Sequence, residues 1–236
     1  MKRLLSISAV ILGLLALAGP SQAQTIAWGA AQNMTGNPDI STAGTYFDAA
    51  CAFGSLTVNN GVAGVGGTNV LFNALTGNPA SDGKISVTIG DSVGDFTAPF
   101  TTSSPSSTSY SNLVNTGVFG EFQNTVTIGG SLIVGDTYQV QSWSYYSADG
   151  TATTTYSGTT PVTLTNATGQ FAIGTFTATV SPETYNFTTG GGHNFINAVS
   201  VRDITSAVPE PSEALLMGLG LAGLVVLIRR KRLAKA

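Results

Sequence analysis

The clearest pattern in the chain is alternation. In Lys84-Ile85-Ser86-Val87-Thr88-Ile89 the apolar residues Ile85, Val87 and Ile89 fall on one face of an extended segment. Similar strand signals run over Asn69–Leu75, Thr125–Ile128, Thr137–Tyr146, Thr151–Tyr156, Phe171–Val180, Thr184–Thr188 and Phe195–Arg202. Turn clusters separate them, among them Asn59-Asn60-Gly61, Asp82-Gly83, Gly129-Gly130 and Gly190-Gly191-Gly192. Residues 24–207 carry no convincing helical period. Many short strands without crossover helices predict one all-β domain, an antiparallel β-sandwich. In Phe171–Val180 the apolar phase shifts across Gly174, which predicts a bulge there. The Ser- and Thr-rich run Thr101–Ser109 predicts an exposed loop.

Both ends of the chain carry a different pattern. Lys2 and Arg3 precede an apolar run, Leu4–Ala18, broken only by Ser6, Ser8 and Gly13, and Gly19-Pro20-Ser21-Gln22-Ala23 follows. A basic start, a short apolar stretch and small residues at Ser21 and Ala23 read as a secretory signal peptide over 1–23, with its helix ended by Pro20 and cleavage between Ala23 and Gln24. Ala214–Ile228 has no charged or polar side chain and runs directly into Arg229, Arg230, Lys231 and Arg232. This predicts a short transmembrane helix, below the ~20 residues of an ordinary span, with snorkelling arginines making up the difference. The basic cluster acts as the membrane stop and stays cytoplasmic, which leaves 24–207 on the exported side.

Charge sharpens this division. Only 9% of the 236 residues are charged, against roughly 25% in ordinary globular chains. Seven of the nine Lys and Arg sit at the two ends, leaving Lys84 and Arg202 in the body against ten acidic residues. Such a body has no basic face for a phosphate backbone, so nucleic acid is excluded as a partner. The single Cys excludes an internal disulfide framework.

Candidate chemistry is sparse. Cys51 lies among small apolar residues and reads as a packing residue, and His193 after a glycine run reads as a loop residue. A dyad between them is the sharper alternative. Glu121 and Glu183 are the body's only glutamates, and nothing in the sequence sets either up as a general acid. Gly61–Gly67 has the glycine content of a phosphate loop without the Lys-Ser/Thr that such a loop needs. Asp91 and Asp95 flank Gly94 and form a candidate Ca²⁺ site, with an Asp-Gly turn as the plainer reading. No other cofactor is expected. Trp143 and Tyr145 share one strand face and form a candidate platform for stacking on sugar rings, or else pack in the core. Asn33, Asn166 and Asn186 stand in Asn-X-Thr patterns.

Ahead of the last helix stands Val208-Pro209-Glu210-Pro211-Ser212. Pro-Glu-Pro, a short Gly- and Leu-rich helix and an Arg-rich end, in that order over 208–236, closely resemble the PEP-CTERM sorting signal of Gram-negative bacteria. The resemblance implies that Pro209, Glu210 and Pro211 are a processing motif read by an exosortase. Two prolines suit that role, because they hold an extended backbone open to a protease. The segments Leu132–Trp143, Gly169–Ala178 and Ile196–Arg202 resemble the jelly-roll body common in that family, similar to galactose-binding-like and malectin-like sandwiches. The implied protein is not an enzyme. It is an exported precursor tethered to the inner membrane, processed by signal peptidase and exosortase, then placed at the cell surface or in the extracellular matrix in a structural or adhesive role. The alternative is a carbohydrate-binding or glycan-cleaving domain on the same fold, with extracellular polysaccharide as partner.

Overall fold

The computed structural model describes residues 26–205 apart from 78, 90–93, 98–99, 101–105, 121–122 and 149, with 94–97 described by backbone alone. The predicted signal segment with Ala23 and Gln24, and the predicted sorting signal with Pro209, Glu210, Pro211, Arg229, Arg230, Lys231 and Arg232, lie outside the described residues. The chain divides into Met1–Ile204 and Thr205–Ala236. No helix among the described residues is long and apolar enough to cross a membrane.

The strands in chain order are β1 (Ala27–Trp28), β2 (Gln32–Asn33), β3 (Thr45–Cys51), β4 (Leu56–Asn59), β5 (Asn69–Ala74), β6 (Ala80–Ser81), β7 (Ile85–Thr88), β8 (Gly94–Thr97) and β9 (Thr116–Gly120). Then follow β10 (Asn124–Ile128), β11 (Thr137–Ser144), β12 (Thr153–Tyr156), β13 (Val162–Thr165), β14 (Gln170–Thr177), β15 (Glu183–Thr189), β16 (Asn194–Ile196) and β17 (Ala198–Asp203). One α-helix, α1 (Thr108–Asn115), stands between β8 and β9. Sheet I runs β1-β14-β11-β17-β3-β5-β4, with β2 also on β14. Sheet II runs β13-β12-β15-β10-β7-β6, and a small sheet III runs β16-β9-β8. The pairings are antiparallel except β3 with β5, so the predicted β-sandwich is present with one parallel step.

The central part of sheet I is buried on both faces. Tyr138, Val140, Ala172, Phe176, Val199 and Val201 on one face meet Ile85, Val87, Val126, Ile128, Tyr185 and Phe187 of sheet II in the main core. On the other face Trp143, Phe171, Ala198, Ala49, Cys51 and Phe72 join a second core closed by Met34, Ile40 and the α1 residues Tyr110, Leu113 and Val114. Central strands covered on both sides lose the clean alternation of a half-exposed strand.

That double burial corrects the bulge expected at Gly174. The β11–β14 register is unbroken from Thr137↔Thr177 to Ser144↔Gln170. Phe171 and Ile173 serve the second core, and Ala172 and Phe176 serve the first, so the apparent phase shift is a change of face. Gly174 is needed for close approach, since a Cβ there would lie 2.5 Å from Ile26 Cγ2 and 2.8 Å from Trp28 Cε3. The real irregularity lies between β17 and β3, where the pairing passes from Val201↔Asp48 to Arg202↔Tyr46 and leaves Phe47 as the extra residue.

Two further expectations change. The run Thr101–Ser109 is not loop throughout: Ser107 caps α1, its Oγ accepting from Tyr110 N–H at 3.1 Å, and its own N–H donates to Asn37 Oδ1 at 2.7 Å. Tyr110, Leu113 and Val114, at helical spacing, face the second core. The predicted strand Phe195–Arg202 is two strands broken at Asn197, the first in sheet III and the second in sheet I.

Strand direction gives sheet I two ends. Thr137, Thr177, Asp203 and Thr45 lie at one, and the β4–β5 loop turns back there between Asn59 and Asn69. The described chain leaves the sandwich at this exit end, where Ile204 N–H donates to Thr137 O at 2.9 Å. Ser144, Gln170, Ala198 and Cys51 mark the far end.

Candidate functional site

At the far end, four ring-bearing side chains line a cavity of about 130 Å³: Phe119, Tyr146, His193 and Phe195. Phe119 and Phe195 come from adjacent strands of sheet III, paired as Phe195↔Phe119. Tyr146 stands just beyond β11, and its ring stacks on Phe195 with centroids 4.4 Å apart and planes 27° apart. His193 meets Phe119 edge to face at 5.2 Å and 89°. Phe195 is buried and the other three are half-buried, so the rings form an open concave wall.

Buried polar side chains fix this wall from behind. Ser144 Oγ donates to Phe195 O at 2.8 Å, Thr154 Oγ1 accepts from Phe195 N–H at 3.0 Å, and Asn166 Nδ2 donates to His193 O at 3.2 Å. Ser144 shares its proton between Phe195 O and Asn166 Oδ1, the latter at 2.7 Å, and Thr154 Oγ1 donates to Asn166 Oδ1 at 3.0 Å. Asn197, at the strand break, shares the two N–H groups of Nδ2 among the carbonyls of Val114, Thr116 and Tyr145, with Val114 O nearest at 2.8 Å, and its Oδ1 accepts from Tyr145 N–H at 2.6 Å. One fully buried amide thereby ties together the end of α1, the start of β9 and the end of β11. Asn166, whose amide is consumed in this network, is inaccessible as a glycan acceptor on the folded domain.

Trp143 and Tyr145 take the packing alternative. Trp143 is 0% exposed and Tyr145 is 4% exposed, so neither offers a ring face to a sugar. Trp143 packs between Phe72 and Phe171 in the second core, with centroids 5.9 and 6.3 Å away. Strand β11 stops at Ser144, and Tyr146 is the aromatic that reaches the cavity. The signal that could have found the site was the pairing of a glycine turn, Gly190-Gly191-Gly192, with the His-Asn-Phe that follows it.

Asp91 lies outside the described residues, and Asp95 stands on β8 opposite Val118. Among the described residues no three of His, Cys, Asp and Glu come together. Cys51 is buried, its thiol donates to Gly54 O at 3.2 Å, and burial pushes its pKa up to about 11. The thiol's hydrogen bond thus goes to a carbonyl and not to an imidazole. Glu121 lies outside the described residues. Glu183 Oε1 accepts from the N–H groups of Thr179 and Val180 at 2.6 and 2.9 Å, which makes it a turn brace. Gly61–Gly67 is likewise a braced turn, with Asn59 Oδ1 accepting from Gly61 N–H and Gly67 N–H.

A buried acid sits midway along β3. Asp48 Oδ1 accepts from Ala49 N–H and Asn73 Nδ2, both at 3.0 Å, and the Tyr46 hydroxyl, which donates to Leu71 O at 2.7 Å, lies 3.4 Å from it. Burial first, and then the Asp82 carboxylate beside it, hold Asp48 above the ordinary aspartate value, while Lys84 pulls the other way. Burial and the Asp48 charge push Tyr46 up to about 12.

Neither a family model nor a curated protein matches the chain. A solved structure titled as the structural basis for the promiscuous specificity of carbohydrate-binding modules from the β-sandwich superfamily aligns with 78% of this chain and 99% of its own. Its identity is 11% and its TM-score 0.18.

Proposed function

We propose that the chain is the precursor of an exported bacterial surface protein whose β-sandwich, jelly-roll-like in its strand layout, is structural or adhesive and not catalytic. The reading rests on the tail, where Pro209-Glu210-Pro211, the apolar run Ala214–Ile228 and the basic cluster Arg229–Arg232 follow one another as in PEP-CTERM signals. In this account signal peptidase cuts after Ala23. The helix then holds the precursor in the inner membrane until an exosortase processes the Pro-Glu-Pro element, and the body passes to the cell surface or matrix. Replacing Pro209, Glu210 and Pro211 with alanine in the host tests it. The body should be translocated yet sediment with inner membranes at a larger apparent mass; a wild-type protein that keeps an intact helix contradicts the reading.

One observation favours adding a ligand to this role. The wall of Phe119, Tyr146, His193 and Phe195 offers stacked ring faces and one imidazole, which suits a pyranose: apolar C–H faces for the rings, hydroxyls for the polar edge. On this second reading the body adheres by binding a sugar residue of an extracellular polysaccharide at its far end. Tyr146→Ser, at a half-buried position, should leave the fold intact and abolish retention on a polysaccharide column that retains the parent protein; equal retention counts against the cavity.

A further inference from the structure

Large apolar side chains exposed among the described residues are not spread evenly. Val62 (64%) and Val65 (76%) lie on the β4–β5 loop, Ile133 (60%) and Val134 (62%) on the β10–β11 loop, and Val180 (37%) on the β14–β15 loop. All three loops cap the exit end of sheet I, as the registers Thr137↔Thr177 and Asn59↔Asn69 require. Two of them are bonded together: Gly135 N–H donates to Ala178 O at 2.8 Å, Ala178 N–H to Asp136 O at 2.9 Å, and Ser181 Oγ to Gly130 O at 3.0 Å. The third is held in place by its own asparagines, with Asn60 Nδ2 reaching Ile40 O at 3.3 Å. These aliphatic groups are therefore held in water by ordered turns.

We propose that this end is a membrane-facing surface, whose valines and isoleucine enter the headgroup–acyl boundary of the bilayer that holds the tail. The inference rests on the anchored precursor proposed above. Two observations select a lipid surface over other occupants. The chain leaves the sandwich at this end, at Ile204. Residues 205–213 then reach at most roughly 30 Å even when fully extended, so the apolar run that begins at Ala214 keeps the exit end close to the bilayer. The charges on this end are mixed, with Asp82, Asp136 and Asp203 against Lys84 and the buried Arg202. Contact is therefore apolar, as for interfacial segments that bury side chains at the boundary, and does not depend on anionic lipid. The aromatic cavity stands at the opposite end of sheet I and faces away from the membrane in this arrangement.

The test uses the full chain in zwitterionic phosphatidylcholine vesicles with brominated acyl chains, which quench tryptophan on contact. The two native tryptophans, Trp28 and Trp143, are buried and give a constant background. Val134→Trp and Val62→Trp place a reporter on two separate exit-end loops, and Phe53→Trp places one at an exposed far-end position. The expected result is several-fold stronger quenching at positions 134 and 62 than at 53, unchanged by high salt. Floating protein with equal quenching at all three positions, or none at 134 and 62, overturns the inference while leaving the anchor intact. A chain that does not float with the vesicles contradicts the anchor and this inference together. Concentration-dependent self-association that protects 134 and 62 from brominated lipid assigns the surface to a second copy and also overturns it.

Discussion

The two ends of sheet I are built in opposite ways. At the far end, uncharged polar side chains are buried and aromatic rings are left partly open: Ser144, Thr154, Asn166 and Asn197 are sealed behind Phe119, Tyr146 and His193. At the exit end, aliphatic side chains point outward from the loops while an acid, Glu183, is drawn inward as a brace. A buried, fully bonded polar network fixes backbone geometry more tightly than apolar packing alone, because each lost partner leaves a desolvated group. The far end is thus fixed by buried polar bonds behind rings, and the exit end by backbone bonds between loops that hold aliphatic groups outward.

The comparison breaks first at Asn197. Asn197→Ala removes the buried amide that accepts from Tyr145 N–H and shares its two N–H groups among the Val114, Thr116 and Tyr145 carbonyls, and should cost about 3 kcal/mol or more, read by denaturant unfolding. A loss below ~1 kcal/mol would show that the far end is not held by this amide. Gly174→Ala, beneath Trp28 and Ile26 in the main core, should cost about 1–3 kcal/mol by overpacking, with a lowered melting temperature as the measure.

A smaller effect is expected at Asp48. Its folded-state pKa is raised, so the folded chain holds the proton more tightly than the unfolded chain. That contribution is fully present below the ordinary aspartate value of 3.8 and is lost as pH rises through the raised one. Asp48→Asn keeps an oxygen for Ala49 and Asn73, and should flatten the decline in unfolding free energy with rising pH. An unchanged slope would show that Asp48 does not titrate as described. The smallest effect belongs to the exit-end loops: Val134→Ser should shift stability by no more than about 0.5 kcal/mol, since an exposed side chain supports no packing. A large loss there would make the loop part of the core and not a free surface.

The sequence made the strands legible where one face is buried and the other is wet, as in β7 and β10 of sheet II. It failed where sheet I is covered twice: β3 and the Gly174 region of β14 carry apolar groups on both faces, so period two disappears. Helix α1 was hidden inside a Ser- and Thr-rich run, because three side chains and a Ser107 cap suffice for a helix that tertiary packing completes. The candidate cavity was not legible, because a strand predicted through Tyr146 hides that β11 ends at Ser144, which leaves Trp143 and Tyr145 in the core and Tyr146 at the cavity. Asn166 and Asn197 read as turn formers in isolation, and their value lies in partners many residues away.

His193 is the only histidine in the chain, so its imidazole signals can be assigned without ambiguity. Proton NMR of the full chain in detergent, titrated with methyl glucoside, methyl galactoside and methyl mannoside, reads the far-end cavity directly. The account predicts a saturable shift of the His193 signals with at least one pyranoside, lost in Tyr146→Ser. Signals unmoved by all three at high concentration, in a folded protein, would contradict a sugar-binding far end.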